Sequence, residues 1–349
     1  MVHLPFVNIV KIRIAVILLL LVSLPYISAF VFAGQDTVFG GFLLNPADGN
    51  SYLAKMYQGW RGDWKFSLPY SADPGQGAFL FTFYIFLGHL ARWLGAPLLL
   101  VFHLARLLGA AVLVWVMGRF FDICISTEKY RQFAYALASL GLGLGWLVFL
   151  FEIVTSDFWV AEAYPFLSSY VNPHFAWSLA LMLWLLLPTI QMIKDRAEPV
   201  SGPMNGGQDA RGALATQPGL NSTMNFAWAR TLLVILVSAW LGSMSPFLVV
   251  LALAVLAGLV VWEFGANLKQ GWRRTAFSQM IWITLGGAPV IVYAVLAIQS
   301  DSQLAAWNAQ NLTLTPPAWD LALAFSPAWA LALVGIWQVI RKRERAGRL

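Results

Sequence analysis

Long apolar runs alternate with short polar breaks along nearly the whole chain, and that alternation predicts helices that cross a membrane. Runs long enough for about 30 Å of hydrocarbon fall near residues 14–33, 97–118, 133–151, 174–193, 230–243, 246–264, 276–298 and 320–340. The expected fold class is all-α: a polytopic transmembrane helix bundle of about eight spans, one domain over residues 1–349, with no soluble domain appended. The first run, Ile14 to Ala33, closes on small residues as a signal peptide would. Its roughly 20 apolar residues exceed the usual signal core, so it is expected to stay as an anchor.

Two segments decide the threading. Ala78 to Leu94 is apolar enough to span, yet carries Thr82, His89 and Arg92 along one side at helical spacing. If it lies along the surface, Lys and Arg divide as 17 cytoplasmic to 4 external, with Arg106 left aside as intramembrane; if it spans, they divide as 3 to 18. The positive-inside rule selects an interfacial helix with Trp93 at headgroup depth. Arg230 to Phe264, as one helix, would be about 50 Å long, so the SMSP break at Ser243 to Pro246 is expected to divide it into two short helices that meet at an external tip. Both termini are then cytoplasmic, and the chain is placed in the cell membrane as a multi-pass protein. The stretch from Glu198 to Asn225, rich in Gly, Pro, Ser, Asn and Gln, reads as the centre of a flexible cytoplasmic loop over residues 194–229. Gly141 and Gly145, four apart, read as a close helix-packing pair.

Composition agrees with this and removes other classes. With 59% hydrophobic and 11% charged residues, the chain lacks the polar side chains to cover a soluble globule. The formal charge of +6 does not indicate nucleic acid, because the basic residues sit in short loops and form no patch; the partner they indicate is the lipid bilayer. The single cysteine, Cys124, permits no internal disulfide and no CxxC pair.

The threading places Asp36, Asp48, Asp63, Asp73, Glu152, Asp157, Glu162, Asp301 and Asp320 on the external face. Two long external segments, residues 34–96 and 152–173, hold most of the carboxylates and aromatic residues there. Asp48 precedes SYLAKMYQG, with Tyr52 at i+4, so both sit on one side of a short helix expected to start near Gly49. Asp48 reads either as the N-cap of that helix or as a catalytic acid. Arg106 lies mid-helix in the second span, where a charge is costly and takes a partner or lines a cavity; Glu152 or Asp157 is the expected buried partner, with lipid phosphate as the alternative. His103 lies one turn away, read as a helix-to-helix hydrogen bond. Glu152, Asp157 and Glu162 follow at five-residue spacing, and His174 stands at the next helix start, read as packing or as a phosphate contact.

The order PADGNSYLAKMYQGWRGDW, then PYSADPGQGAFLFTFYIFLGHLARWLG, then a span beginning APLLLVFHLARLLGA resembles the GT-C glycosyltransferase superfamily: an acid after the first helix, an interfacial helix, then a span carrying an arginine. The chain also resembles bacterial polytopic proteins with segments like YPFLSSYVNPHF, Tyr164 to Phe175, and AQNLTLTPP, Ala309 to Pro317. The resemblance implies a GT-C-like fold and an inverting transfer of a sugar from a polyprenyl-phosphate carrier to an acceptor of unspecified identity on the external face. In that chemistry Asp48 is the general base on the acceptor hydroxyl, assisted by Asp157 or Glu162. Tyr52 and His174 contact substrate, and Arg106, Arg61, Lys65 and Arg92 are the cations available to the leaving phosphate. No cofactor is expected; the family leaves a divalent metal open, and the loop acids lack strong ligand spacing. Two features depart from the pattern. The acid is a lone Asp48 where many members pair two, and eight spans are fewer than many relatives carry.

The competing class is a transporter or a non-catalytic polytopic scaffold. A transporter is expected to carry inverted repeats and polar, broken helices near the midplane, whereas only His103 and Arg106 lie deep in a span here. A membrane protease lacks its motifs, since neither HExxH nor Gly-x-Ser-x-Gly occurs.

Overall fold

A computed structural model of the chain describes residues 9–197, 220–264, 271–310 and 314–346. All regular elements among the described residues are helices, joined by turns and by one isolated bridge between Phe66 and Ala78. Four helices are long and apolar enough to cross a membrane: α1 (Ile9–Val31), α4 (Leu98–Cys124), α8 (Pro173–Ala197) and α11 (Gly271–Ser300). A fifth is formed if the pair α13 (Ala318–Ala324) and α14 (Ser326–Ala346) is one bent span. Their outer faces carry exposed Leu20, Leu24, Leu104, Leu108 and Leu285, which water would disfavour and lipid does not. The chain is thus a multi-pass helical membrane protein.

The cross-helix hydrogen bonds give the directions. Lys11 Nζ donates to Gly118 O at 3.1 Å and pairs with Asp122, while Arg106 reaches Val22 O, so α1 runs antiparallel to α4. Trp177 Nε1 donates to Ala105 O at 3.0 Å and Lys194 Nζ to Asp122 O at 3.2 Å, so α8 runs parallel to α4. Leu18, Val22, Leu113, Val114, Ala176 and Ala180 form the core between these helices. α9 (Leu220–Met244) and α10 (Pro246–Phe264) join the same core through Leu241 and Leu248. They meet at Ser245, where Pro246 opens the second helix and Ser245 Oγ donates to Ser178 Oγ at 2.8 Å, as the SMSP break led one to expect.

At the end where α1 finishes and α4 begins, two short helices pair: α2 (Pro46–Arg61) and α3 (Thr82–Leu94). α3 has 13 residues, about 20 Å, too short to cross the hydrocarbon. It begins at Thr82, later than Ala78, because residues 66 and 78 are held extended by the bridge. The two helices touch at backbone distance through Gly59 and Gly88. A Cβ on Gly88 would stand 1.9 Å from Met56 O, and one on Gly59 would stand 2.0 Å from Ile85 O, so only glycine fits either position. α12 (Ser302–Gln310) covers the same end, with Asp301 accepting from the Gln76 amide at 3.0 Å.

Three sequence expectations are corrected. The run 133–151 is not one span: α5 (Glu128–Leu140) stops before Gly141, and a single-turn helix, α6 (Trp146–Phe149), follows. Gly141, Gly143 and Gly145 break the helix instead of packing one. The chain then returns through irregular backbone and α7 (Pro165–Tyr170) to the start of α8. The run 320–340 is bent by 77° at Phe325, where Ser326 and Pro327 open a new helix. The expected 194–229 loop is helical to Ala197 and again from Leu220; its centre lies outside the described residues, as does part of the Ala309 to Pro317 segment.

Candidate functional site

α2 starts at Pro46, whose fixed φ and missing amide suit a first helical position, and is capped by Asn45, a residue type that tolerates the left-handed backbone (φ 47°) it adopts there. Asp48 is therefore the third helical residue and not the N-cap. Its amide donates to Asn45 Oδ1 at 3.5 Å, and Asn45 Nδ2 donates back to Asp48 Oδ2 at 2.5 Å, a reciprocal arrangement like a capping box. The Asp48 side chain is exposed.

Behind it, α2 presents Asp48, Ser51, Tyr52 and Lys55 at i, i+3, i+4 and i+7, one side of a helix. Tyr52 stacks on Tyr84 of α3 with ring centroids 4.2 Å apart and packs on His174 of α8 at 5.1 Å. Tyr84 Oη and His174 Nδ1 share a hydrogen bond of 2.6 Å. Burial, then the nearby carboxylates of Asp48 and Glu162, hold the Tyr52 phenol well above its ordinary range. Burial likewise pushes the Glu162 carboxyl up. The structure so packs His174 on Tyr52, with Asp48 one turn earlier on the same side of α2.

The other expected residues lie elsewhere. Arg61 is at the far end of α2, about 20 Å along the helix from Asp48, and pairs with Asp63 in the open at 2.9 Å. Lys65 lies over the Phe79 ring at 5.9 Å. Arg92 donates to Arg61 O at 3.3 Å. Asp157 is buried with both oxygens occupied, by the Gly145 amide at 3.0 Å and by Thr155 Oγ1 at 2.6 Å, so it braces the irregular return.

Among the described residues no carboxylate pairs with Arg106, contrary to the expectation of Glu152 or Asp157. Its Nη1 donates to Val22 O at 3.0 Å, Ser169 O at 3.1 Å and Tyr170 O at 3.2 Å, and its guanidinium lies 4.2 Å from the Tyr26 ring centroid. Ser169 and Tyr170 end α7, so the cation satisfies carbonyls that the helix leaves open. His103 accepts from Arg106 Nε at 3.3 Å within the same helix, not across helices. A cavity of about 440 Å³ between α1 and α4, lined by Tyr26, Phe30, Leu100, His103 and Arg106, is almost wholly apolar.

Lys55 is the residue that the sequence reading passed over. It is 4% exposed, donates to Ser51 Oγ at 2.8 Å, and lies 4.3 Å from the Phe81 and 4.7 Å from the Tyr52 ring centroid. Burial lowers its amine to about 8, against a smaller opposing effect of Asp48. The i+7 spacing from Asp48 was a readable signal; the walls that bury it come from residues far away in sequence. Amine-directed labelling followed by mass spectrometry is expected to show Lys55 reactivity inflecting near pH 8. A profile still rising near pH 10.4, the value of a hydrated lysine, would overturn the buried placement.

Among the described residues, no three of His, Cys, Asp and Glu gather closely enough to hold a metal ion. Fold and site define a polytopic helical membrane protein with an acid–tyrosine–histidine cluster at one end. Comparison of the chain with protein-family models, with curated proteins and with solved structures finds no match.

Proposed function

We propose that the chain is a membrane glycosyltransferase of GT-C type, taking a sugar from a polyprenyl-phosphate carrier at the external face with inversion. The observation that supports this reading best is the packing of Tyr52 of α2 on Tyr84 of α3 and His174 of α8, one helical turn from the exposed Asp48 and immediately after the first span. An acceptor hydroxyl must lose its proton as it attacks the anomeric carbon, and Asp48, exposed and held in place by Asn45, is the general base. Glu162, its carboxyl raised by burial, is the assisting acid, which separates the roles of two carboxylates by their surroundings. The lone acid of the sequence pattern thereby gains a second. Tyr52, half-buried one turn from Asp48, is the ring against which the sugar rests, with the buried His174 packed behind it.

In this reading the bundle makes eight passes with both termini cytoplasmic. α5 with α6 makes the third, and the bent pair α13–α14 makes the eighth. Arg341, Lys342, Arg343 and Arg345 then fall on the cytoplasmic side with Lys11 and Lys194, as the positive-inside rule requires.

The test is transfer from polyprenyl-phosphate sugars in membranes carrying the wild type or Asp48→Asn. Loss of about 100-fold or more in turnover is expected, the usual size of a general-base contribution. Equal turnover by the two proteins would overturn the assignment of Asp48.

A further inference from the structure

The transfer chemistry does not use Lys55, yet the fold encloses it with care. Its ammonium has three donors. Ser51 Oγ takes one, and the Tyr52 and Phe81 ring faces screen its sides. Among the described residues, no carboxylate forms an ion pair with it. A buried cation without an anion is costly, and the cost is recovered where a ligand brings the anion.

Beside the amine lies a cavity of about 320 Å³, lined also by Ser51, Tyr70, Ser71, Gln303, Trp307 and Gln310. That size falls in the range of small-ligand sites. Its lining combines three aromatic side chains (Phe66, Tyr70 and Trp307), two primary amides and three hydroxyls around one cation, with Gln303 and Ser71 each also donating to Asp73. Amides and hydroxyls meet the hydroxyls of a sugar ring, aromatic faces meet its apolar C–H face, and the cation meets an acidic substituent. Asp48 stands on the same side of α2, about 10 Å along the helix from Lys55, a spacing that an acidic sugar or short acidic glycan bridges.

We propose that this cavity binds an acidic saccharide, a sugar bearing a carboxylate or phosphate group, with its anion against Lys55 and its ring against Trp307. As an acceptor subsite for Asp48 the cavity rests on the transferase reading; as a binding site it does not.

The experiment uses the purified full-length chain in detergent and follows labelling of Lys55 by mass spectrometry, with other lysines as internal references. Glucuronate and glucose 1-phosphate are each expected to slow Lys55 labelling at least fivefold at concentrations where glucose leaves it unchanged. Equal protection by glucose, or none by any sugar, would overturn the proposal. Stronger protection by farnesyl phosphate than by both acidic sugars would reassign the cavity to a lipid phosphate and overturn it as well. By calorimetry, Lys55→Gln is expected to bind glucuronate at least tenfold more weakly than wild type, while the labelling of the wild-type chain stands independently of how that variant folds. Asp48→Asn is expected to retain glucuronate binding, so a failed transfer assay and a failed binding assay point to different residues.

Discussion

Arg106→Met is expected to lower stability by about 3 kcal/mol, since each buried carbonyl left short of a donor costs about 1–3 kcal/mol. In a thermal unfolding scan in detergent this corresponds to a fall of roughly 10 °C, since about 1 kcal/mol moves a domain of this size by a few degrees. The size follows from what the guanidinium holds together. One nitrogen receives carbonyls from α1 and from the end of α7, and Tyr170 O also accepts from Tyr26 Oη at 2.9 Å, so removal leaves several buried acceptors short of donors. Arg106→Lys is expected to recover only part of the loss, because an ammonium lacks the planar fork that reaches carbonyls on two elements. A melting temperature for Arg106→Met within a degree or two of wild type would show that those carbonyls find other donors.

Gly88→Leu is expected to have the second large effect, and its result is local. Even the first carbon of a side chain at 88 would stand 1.9 Å from Met56 O, and a backbone carbonyl in mid-helix cannot withdraw. α2 and α3 must then part, which undoes the Tyr52–Tyr84 stack and opens the aromatic box around Lys55. The expected signature is Lys55 labelling that shifts from near pH 8 to the ordinary lysine range near 10.4, together with loss of any Asp48-dependent transfer. Gly40→Ala is the control, since a Cβ there meets nothing within 4 Å. An unshifted Lys55 profile in Gly88→Leu would mean that the glycine contact does not hold the site.

Much of the bundle was legible because apolar length alone specifies a membrane-crossing helix. α1, α4, α8 and α11 lie where the runs fall, and Pro246 opens α10 after the predicted break. The run 133–151 misled because apolarity reports tolerance of lipid, not helicity. Three glycines within five residues, Gly141, Gly143 and Gly145, were the local sign of a break, but the groups that satisfy the freed backbone, Asp157 and Asp320, are distant in sequence. Site legibility followed the same division. The side shared by Asp48 and Tyr52 came from helical spacing, whereas the true cap needed Asn45 and Pro46 to be read as a helix start. Arg106 was singled out correctly as an intramembrane charge, yet its partners are backbone carbonyls, which no residue type announces. Lys55 was not singled out because its enclosure combines residues 66–71 with α12, more than 200 positions onward.

The braced return between α5 and α8 also bears on the order in which the chain is assembled. Ser156 N donates to Asp320 Oδ1 at 2.8 Å, Leu144 N to Leu323 O at 3.2 Å and Tyr164 Oη to Ala324 O at 2.7 Å. During synthesis, Leu144, Ser156 and Tyr164 are made long before residues 320–324 exist, so these donors lack those partners until the last helices arrive. The first half of the bundle is therefore closed only by its last helices: a chain arrested short of Asp320 holds an open seam at Ser156 and Tyr164.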